Sequence, residues 1–247
     1  MYNLQYLIVK ITISQKMRKR YDHDYISILA GGVCPIGCKF CVGNSIRKKE
    51  KPHFASMEKI KIFLELFKDR TRSLSISGST SDPLFVDNFQ EVVEIAKKDF
   101  KIALHTCAKD KLRYINTKSF YRICISLHEY PDEKTIDFIK KNKSKVRIST
   151  VYHNGNKKIL DDLSFFDKVP AISFTIRKNI FNPVTPKFIK KLKRTGRKIF
   201  NQQEYMYKDK KIVVWDFADA NKYINARYLW PDGNIRRQCY WYNLHKI

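Results

Sequence analysis

The 247-residue chain is expected to fold as an α/β protein built on a parallel sheet. Three observations lead there. Short strand-like runs alternate with runs of helical period through most of the chain. The strand-like runs place aliphatic residues on one parity and small or polar residues on the other. No repeat, low-complexity tract or Gly/Ser/Pro-rich linker interrupts the first 200 residues.

Taken in order, Tyr6-Leu7-Ile8-Val9 reads as an early strand that stops at Lys10. It falls far short of the roughly 18 apolar residues of a membrane span. A further strand-like run precedes Cys34. Ile60, Phe63, Leu64 and Phe67 then recur at i, i+3, i+4 and i+7, which predicts a helix. Leu74 to Gly78 predicts a strand, and Phe89, Val92, Val93 and Ala96 form a second helical stripe. Strands are expected over 101–106, 122–128, 145–152 and 169–176, with helical stretches near 132–142 and 157–166. Thr185-Pro186 offers an N-cap and a first-turn proline for a helix through Lys193. Beyond Phe200, tyrosines and tryptophans crowd together, and Trp230-Pro231-Asp232-Gly233-Asn234 predicts a hairpin turn. That segment, 200–247, reads as a small β-rich cap on a core of 25–199, with 1–24 as an N-terminal extension.

Strand parity carries a second message. Leu74 and Ile76 oppose Ser75, Ser77 and Ser79. Ile123, Ile125 and Leu127 oppose Cys124, Ser126 and His128. Ile172, Phe174 and Ile176 oppose Ala171, Ser173, Thr175 and Arg177. The aliphatic parity must meet the helices, which bring matching apolar stripes. A solvated sheet face would carry Lys and Glu rather than Ser, Ala, Cys and His, so the other parity is expected to line a cavity. Arg147 and Arg177 share that parity and suit a carboxylate or phosphate, Arg177 better because it lies nearer a strand end.

Composition bounds the partners. Hydrophobic residues make up 43% of the chain, enough for a core, and 49 Lys+Arg against 24 Asp+Glu leave a net charge of +25. The excess points to a polyanionic partner such as nucleic acid, or to the lysine-rich usage of an AT-rich genome. With six cysteines and no leader-like segment, the chain reads as cytoplasmic, with reduced thiols and no membrane association.

The chemistry is concentrated in Cys34-Pro35-Ile36-Gly37-Cys38-Lys39-Phe40-Cys41. Three thiols at CxxxCxxC spacing are one short of the four that hold an ordinary iron–sulfur cube. Zinc would want a fourth ligand at a second short spacing, and Cys107, Cys124 and Cys239 are isolated in sequence.

This motif, with an aromatic residue just before its third cysteine, resembles the radical S-adenosylmethionine (SAM) superfamily. The resemblance spans about residues 25–180 and implies a partial (β/α)6 TIM-like barrel. It implies a [4Fe-4S] cluster on Cys34, Cys38 and Cys41 whose free iron is chelated by SAM. Reductive cleavage of SAM then gives a 5′-deoxyadenosyl radical that abstracts hydrogen from a substrate. It further implies that Gly78 and Ser79, in a variant of the family's glycine-rich segment, meet the SAM amino group. Ser126 and His128 would meet ribose or carboxylate. Val151, His153 and Asn154 would contact adenine and ribose, and Phe40 adenine. One glycine of the family segment is Ser79 here, and two extra residues precede Asp82-Pro83, which leaves the role of Asp82 open. A flavodoxin- or ferredoxin-like electron donor is implied as partner. The substrate is expected to be a nucleic acid or nucleotide-like anion. The alternatives are a peptide or protein substrate, including glycyl-radical activation, and a noncatalytic zinc protein that binds nucleic acid.

Overall fold

A computed structural model of the chain describes residues 25–38, 41, 49–178, 186–199, 202–215 and 225–237. The early strand at 6–9, the N-terminal extension, Phe40, Thr185 and Cys239 lie outside the described residues. The first part of the chain alternates strand and helix: β1 (Tyr25–Ala30), α1 (Met57–Phe67), β2 (Ser73–Gly78), α2 (Phe89–Ala96), β3 (Lys101–Thr106), β4 (Arg122–Ser126), α3 (Glu133–Lys141) and β5 (Val146–Tyr152). Two short helices, α4 (Lys157–Asp161) and α5 (Ser164–Lys168), lead to β6 (Ser173–Lys178). Neighbours from β1 to β6 are all parallel.

The helices form where the apolar stripes predict them. Ile60, Phe63, Leu64 and Phe67 of α1 and Phe89, Val92, Val93 and Ala96 of α2 are buried. Ser56 caps α1 by accepting from the Lys59 N–H, and Asp132 caps α3 by accepting from that of Thr135 (2.7 Å). The expected helix at 157–166 is instead two, because Leu163 takes a left-handed conformation (φ 69°) between α4 and α5.

The chain from Lys187 departs further from expectation. In place of a helix through Lys193 there is one 3-10 turn, Lys187–Lys191, followed by strand β7 (Lys193–Ile199). Phe188, Ile189 and Leu192 pack against the core from this turn, but Leu192 is extended (φ −102°, ψ 147°) and the chain from Lys193 is drawn into pairing with the next strand. β7 pairs antiparallel with β8 (Gln202–Tyr207), which pairs antiparallel with β9 (Lys210–Trp215). β9 joins β6 in parallel, while β10 (Ala226–Leu229) joins the far edge beside β1, also in parallel. The hairpin at Trp230–Asn234 forms as predicted and returns as β11 (Ile235–Arg236). The aromatic-rich C-terminal segment therefore extends the sheet at both edges.

Among the described residues, eleven strands make one sheet in the order β11-β10-β1-β2-β3-β4-β5-β6-β9-β8-β7. The sheet is not closed into a barrel. One face is fully buried under the helices, through Ile26, Ile28, Leu74, Ile76, Leu104, Ile123, Ile125, Ile148, Phe174 and Ile176. On the opposite face, Ser77, His105, Cys124, Ser126, Arg147, Val151, Thr175 and Arg177 are half-buried. Among the described residues no helix is long and apolar enough to cross a membrane.

The two helix faces give a direct check. Phe63 is fully buried and its neighbour Ile62 is 52% exposed. Phe63→Ala should cost about 3–5 kcal/mol in urea denaturation, whereas Ile62→Ala should change stability by less than about 0.5 kcal/mol.

Candidate functional site

Parallel strands bring their C-terminal ends to one edge, where loops collect the polar residues. The cysteine loop leaves β1 there. Its stem is closed by backbone bonds from Gly31 N–H to His53 O (2.8 Å), His53 N–H to Gly31 O (3.1 Å) and Val33 N–H to Glu50 O (2.8 Å). Gly32 is required at this point, since its φ is +88° and a Cβ would lie 2.3 Å from the Lys51 carbonyl oxygen. His53, near the motif in sequence, gives its Nδ1–H to the Lys51 carbonyl (2.9 Å).

The segment after β2 is stitched to the same place. The Ser79 N–H and hydroxyl both reach the Ala30 carbonyl at 2.8 Å, and the Ser81 hydroxyl reaches the Val33 carbonyl at 3.2 Å. Gly78 makes this turn feasible, because a Cβ there would lie 2.2 Å from the Ser81 carbonyl oxygen. Asp82 is 5% exposed and acts as a strut between β2 and β3. Its carboxylate accepts from Leu84 N–H (3.0 Å), the Thr106 hydroxyl (2.9 and 3.0 Å) and Cys107 N–H (2.6 Å). Burial pushes its carboxyl above the usual range, against these bonds.

Cys34, Cys38 and Cys41 are half-buried thiols on this loop and form no disulfide. Burial raises the Cys34 thiol, with Asp82 close enough to add to the effect. In number and sequence spacing they match a set of three thiolate ligands. Among the described residues, however, no three His, Cys, Asp or Glu side chains converge as a metal ion requires. Cys107, isolated in sequence, stands at the end of β3 with its thiol hydrogen-bonded to Cys38 and to the Ser126 hydroxyl. The bond to Cys38, then burial, hold it well above the ordinary thiol range.

Two histidines lie further along the strand ends. The Val151 N–H donates to His128 Nδ1 (3.3 Å), and the Gly155 N–H donates to His153 Nδ1 (3.0 Å). Each Nδ1 is thus an acceptor and each ring keeps its proton on Nε2. The rings lie 6.2 Å apart. Asn154 is exposed and faces Lys157 (3.5 Å). The residue that anchors the end of β5 is the buried Asn156, which donates to Thr150 Oγ1 (3.2 Å) and Val151 O (2.8 Å) and accepts from His153 N–H (3.0 Å). Asn156 sits two positions past the one sequence reasoning chose, and nothing in its residue type distinguishes them.

Register explains what the half-buried face assembles. His105 pairs with Cys124 and Cys124 with Arg147, while Val151 pairs with Arg177 and Arg177 with Trp215. The Arg177 guanidinium lies 5.4 Å from the Trp215 ring centroid. Arg147 is turned to its own backbone, donating to the Val146 carbonyl (2.8 Å). Trp230 is 8% exposed with Arg236 over its ring at 4.3 Å, so it packs and offers no open face for stacking a base.

These cations sit among neutral rings. Burial first, then Arg177 and Arg122, lower His105 to about 3. Burial first, then His153, Arg177 and Lys109, lower His128 to about 3. Both rings are uncharged in the folded protein and take up a proton on unfolding below about 6.5. Their contribution to stability is complete above that value and is lost as pH falls toward 3. Each accounts for at most about 1.4 kcal/mol per pH unit in that window. Denaturant midpoints at about pH 7.5 and about pH 5.5 should show the wild type weakening on acidification, with a smaller loss in His105→Asn and in His128→Asn.

Comparison with known proteins adds a distant likeness. No family model and no curated protein matches the chain. A solved structure, that of BtrN in complex with AdoMet and 2-DOIA, is similar at 18% identity and a TM-score of 0.43, covering 57% of this chain and 63% of that one. The chain thus spans less than two thirds of that protein's length.

Proposed function

We propose that this chain is a radical SAM enzyme. The observation that carries the reading is one of placement. The CxxxCxxC loop leaves the C-terminal end of a parallel strand, and the Gly78–Asp82 segment is hydrogen-bonded against that same strand end. Cys34, Cys38 and Cys41 would hold a [4Fe-4S] cluster. Once bound, that cluster supplies the electron that cleaves SAM, drawn from a flavodoxin- or ferredoxin-like donor.

The chain's own residues then bind and orient. The N–H groups of Ser79, Thr80 and Ser81 are directed at Ala30 O, and backbone carbonyls of Gly78 and Ser79 would receive the SAM ammonium group. Neutral His128 and His153, each with a proton on Nε2, suit ribose hydroxyls or a carboxylate. Ser126, which ends β4, would add a hydroxyl, and Val151 in β5 would give an apolar contact to adenine. Phe40 is assigned to adenine by its place in the motif. The six parallel strands β1–β6, in sequential order with a polar half-buried face, support reading this part as a partial (β/α)6 barrel.

The substrate class proposed is a nucleic acid or nucleotide-like anion, and the net charge of +25 supports it. A basic depression of about 510 Å3, lined by Lys97, Lys101, Lys118, Lys145 and Tyr121, lies at the opposite, N-terminal ends of β3–β5 and would hold a long polyanion away from the reacting edge. Lysines gathered there raise local anion concentration and release counterions on binding.

Anaerobically reconstituted protein should bind iron and sulfide and release 5′-deoxyadenosine from SAM with reductant. Cys34→Ala, Cys38→Ala or Cys41→Ala should each abolish both. Zinc without iron in the wild type would overturn the enzyme reading. RNA affinity should fall steeply with salt, and the double reversal Lys101→Glu/Lys118→Glu should weaken it while leaving SAM cleavage unchanged. Weak, salt-independent binding would favour a peptide substrate instead.

A further inference from the structure

The depression at the N-terminal ends of β3–β5 is more than a patch of lysines. Phe100, Ile102 and Phe120 line it and are buried, so its inner wall is apolar. Lys101, which opens β3, and Lys118 are exposed on its rim. Lys145 donates to the Thr117 carbonyl at 2.9 Å, a contact that leaves its charge in place, while Lys97 is offset by Glu94 at 2.5 Å. At about 510 Å3 the space falls in the range of small-ligand sites, about 300–1,000 Å3.

Tyr121 selects among the anions that such a rim attracts. The residue lines the depression and is 40% exposed, its backbone fixed by donation of its N–H to the Ile102 carbonyl (3.1 Å). Arg122 stands over its ring, the guanidinium carbon 5.2 Å from the centroid. A bare phosphate or carboxylate would use the lysines and gain nothing from the ring. A nucleotide uses both, its base against the tyrosine and its phosphate against the lysines. Bases in a duplex are already stacked on one another, so the ring suits an unpaired base. Distance then sets the length of the ligand. β3 has six residues, so its two ends lie about 17 Å apart at about 3.3 Å per step. A mononucleotide held at Tyr121 would not reach the cysteine-loop edge, whereas a strand with about 3.4 Å between phosphates covers that span in about five nucleotides.

We propose that this depression is a docking site for single-stranded nucleic acid, with one unpaired base stacked on Tyr121, neighbouring phosphates on Lys101 and Lys118, and the strand continuing toward the cysteine-loop edge. This rests on the nucleic-acid reading above and adds where and how the strand is held.

The test is fluorescence anisotropy of a labelled oligouridylate of about 12 nucleotides, titrated with the full chain at several salt concentrations. An oligodeoxythymidylate of the same length and an RNA duplex are run beside it. Tyr121→Ala should lower affinity for the single strands about tenfold at every salt concentration, and Tyr121→Phe, which keeps the ring, should bind as the wild type does. Lys101→Ala/Lys118→Ala should flatten the slope of log affinity against log salt by about 1.4, at about 0.7 per phosphate contact. Ring-dependent binding of either single strand supports the inference, and the tighter of the two identifies RNA or DNA as the source. Wild-type affinity in Tyr121→Ala overturns it. So does a duplex that binds as tightly as the single strands, or uridine monophosphate that competes as well per nucleotide as the oligomer. Release of 5′-deoxyadenosine from SAM is followed separately. Cleavage by protein whose RNA binding ignores Tyr121 sinks this inference alone, and ring-dependent binding by protein that never cleaves SAM sinks the enzyme reading alone.

Discussion

The candidate site depends on one buried carboxylate. Asp82 follows β2 but accepts from the side chain that ends β3 and from the backbone just beyond it, through Thr106 and Cys107, and from Leu84 in its own turn. A carboxylate taken out of water is tolerable only when its lone pairs are occupied, and leaving such a group or its partners unmatched costs about 1–3 kcal/mol each. The arrangement is therefore close to all-or-none, fixing the ends of β2 and β3 together. Ser79 and Ser81 then tie that unit to Ala30 and Val33, so three strand ends and the start of the cysteine loop move as one body. The sequence comparison with the family's glycine-rich segment leaves Asp82 without a role. The structure assigns it that of a strut.

The half-buried face shows a related economy of charge. Arg177 lies over Trp215 and near enough to His105 and His128 to oppose their protonation. Burial is the larger cause that keeps both rings neutral, and the guanidinium, charged at every accessible pH, adds to it. A face carrying the guanidinium groups of Arg147 and Arg177 beside neutral imidazoles is rich in donors. It is suited to groups that bring their own oxygens, such as phosphate, carboxylate or ribose hydroxyls.

What could be read from sequence follows from how local each signal is. The stripes of α1 and α2 are set by residues three and four apart, and every position named there is buried. Strand parity is equally local, and it separated Ile123 and Ile125 from Cys124 and Ser126 correctly. The turn at Trp230–Asn234 was legible because Asp-Gly favours reversal, with Gly233 at φ +80°. Partners distant in sequence were not legible. Nothing local to Cys107 says that it meets Cys38, and nothing near Trp215 says that it lies beside Arg177. The Thr185-Pro186 signal misled because a cap is read from adjacent residues, whereas the pairing with β8 that makes Lys193–Ile199 a strand is not visible there. Asn154 and Asn156 differ only in which one the turn after β5 carries inward.

The C-terminal strands show why a segment beyond the resembled core still bears on the site. β10 pairs with β1, and the Tyr228 and Tyr25 hydroxyls meet at 2.8 Å. The hairpin that follows places Pro231 so close to Gly31 that a Cβ there would lie 2.6 Å from the proline ring. Gly31 is also the residue whose backbone closes the stem of the cysteine loop against His53. The stem is thus pressed between residues 50–53 on one side and the C-terminal hairpin on the other, with Gly32 in a conformation that side chains rarely adopt. Trp230 reinforces the hairpin from within, buried under Arg236. Among the described residues, Tyr228 and Trp230 of the aromatic-rich segment supply packing, and what they pack is the footing of the three thiols.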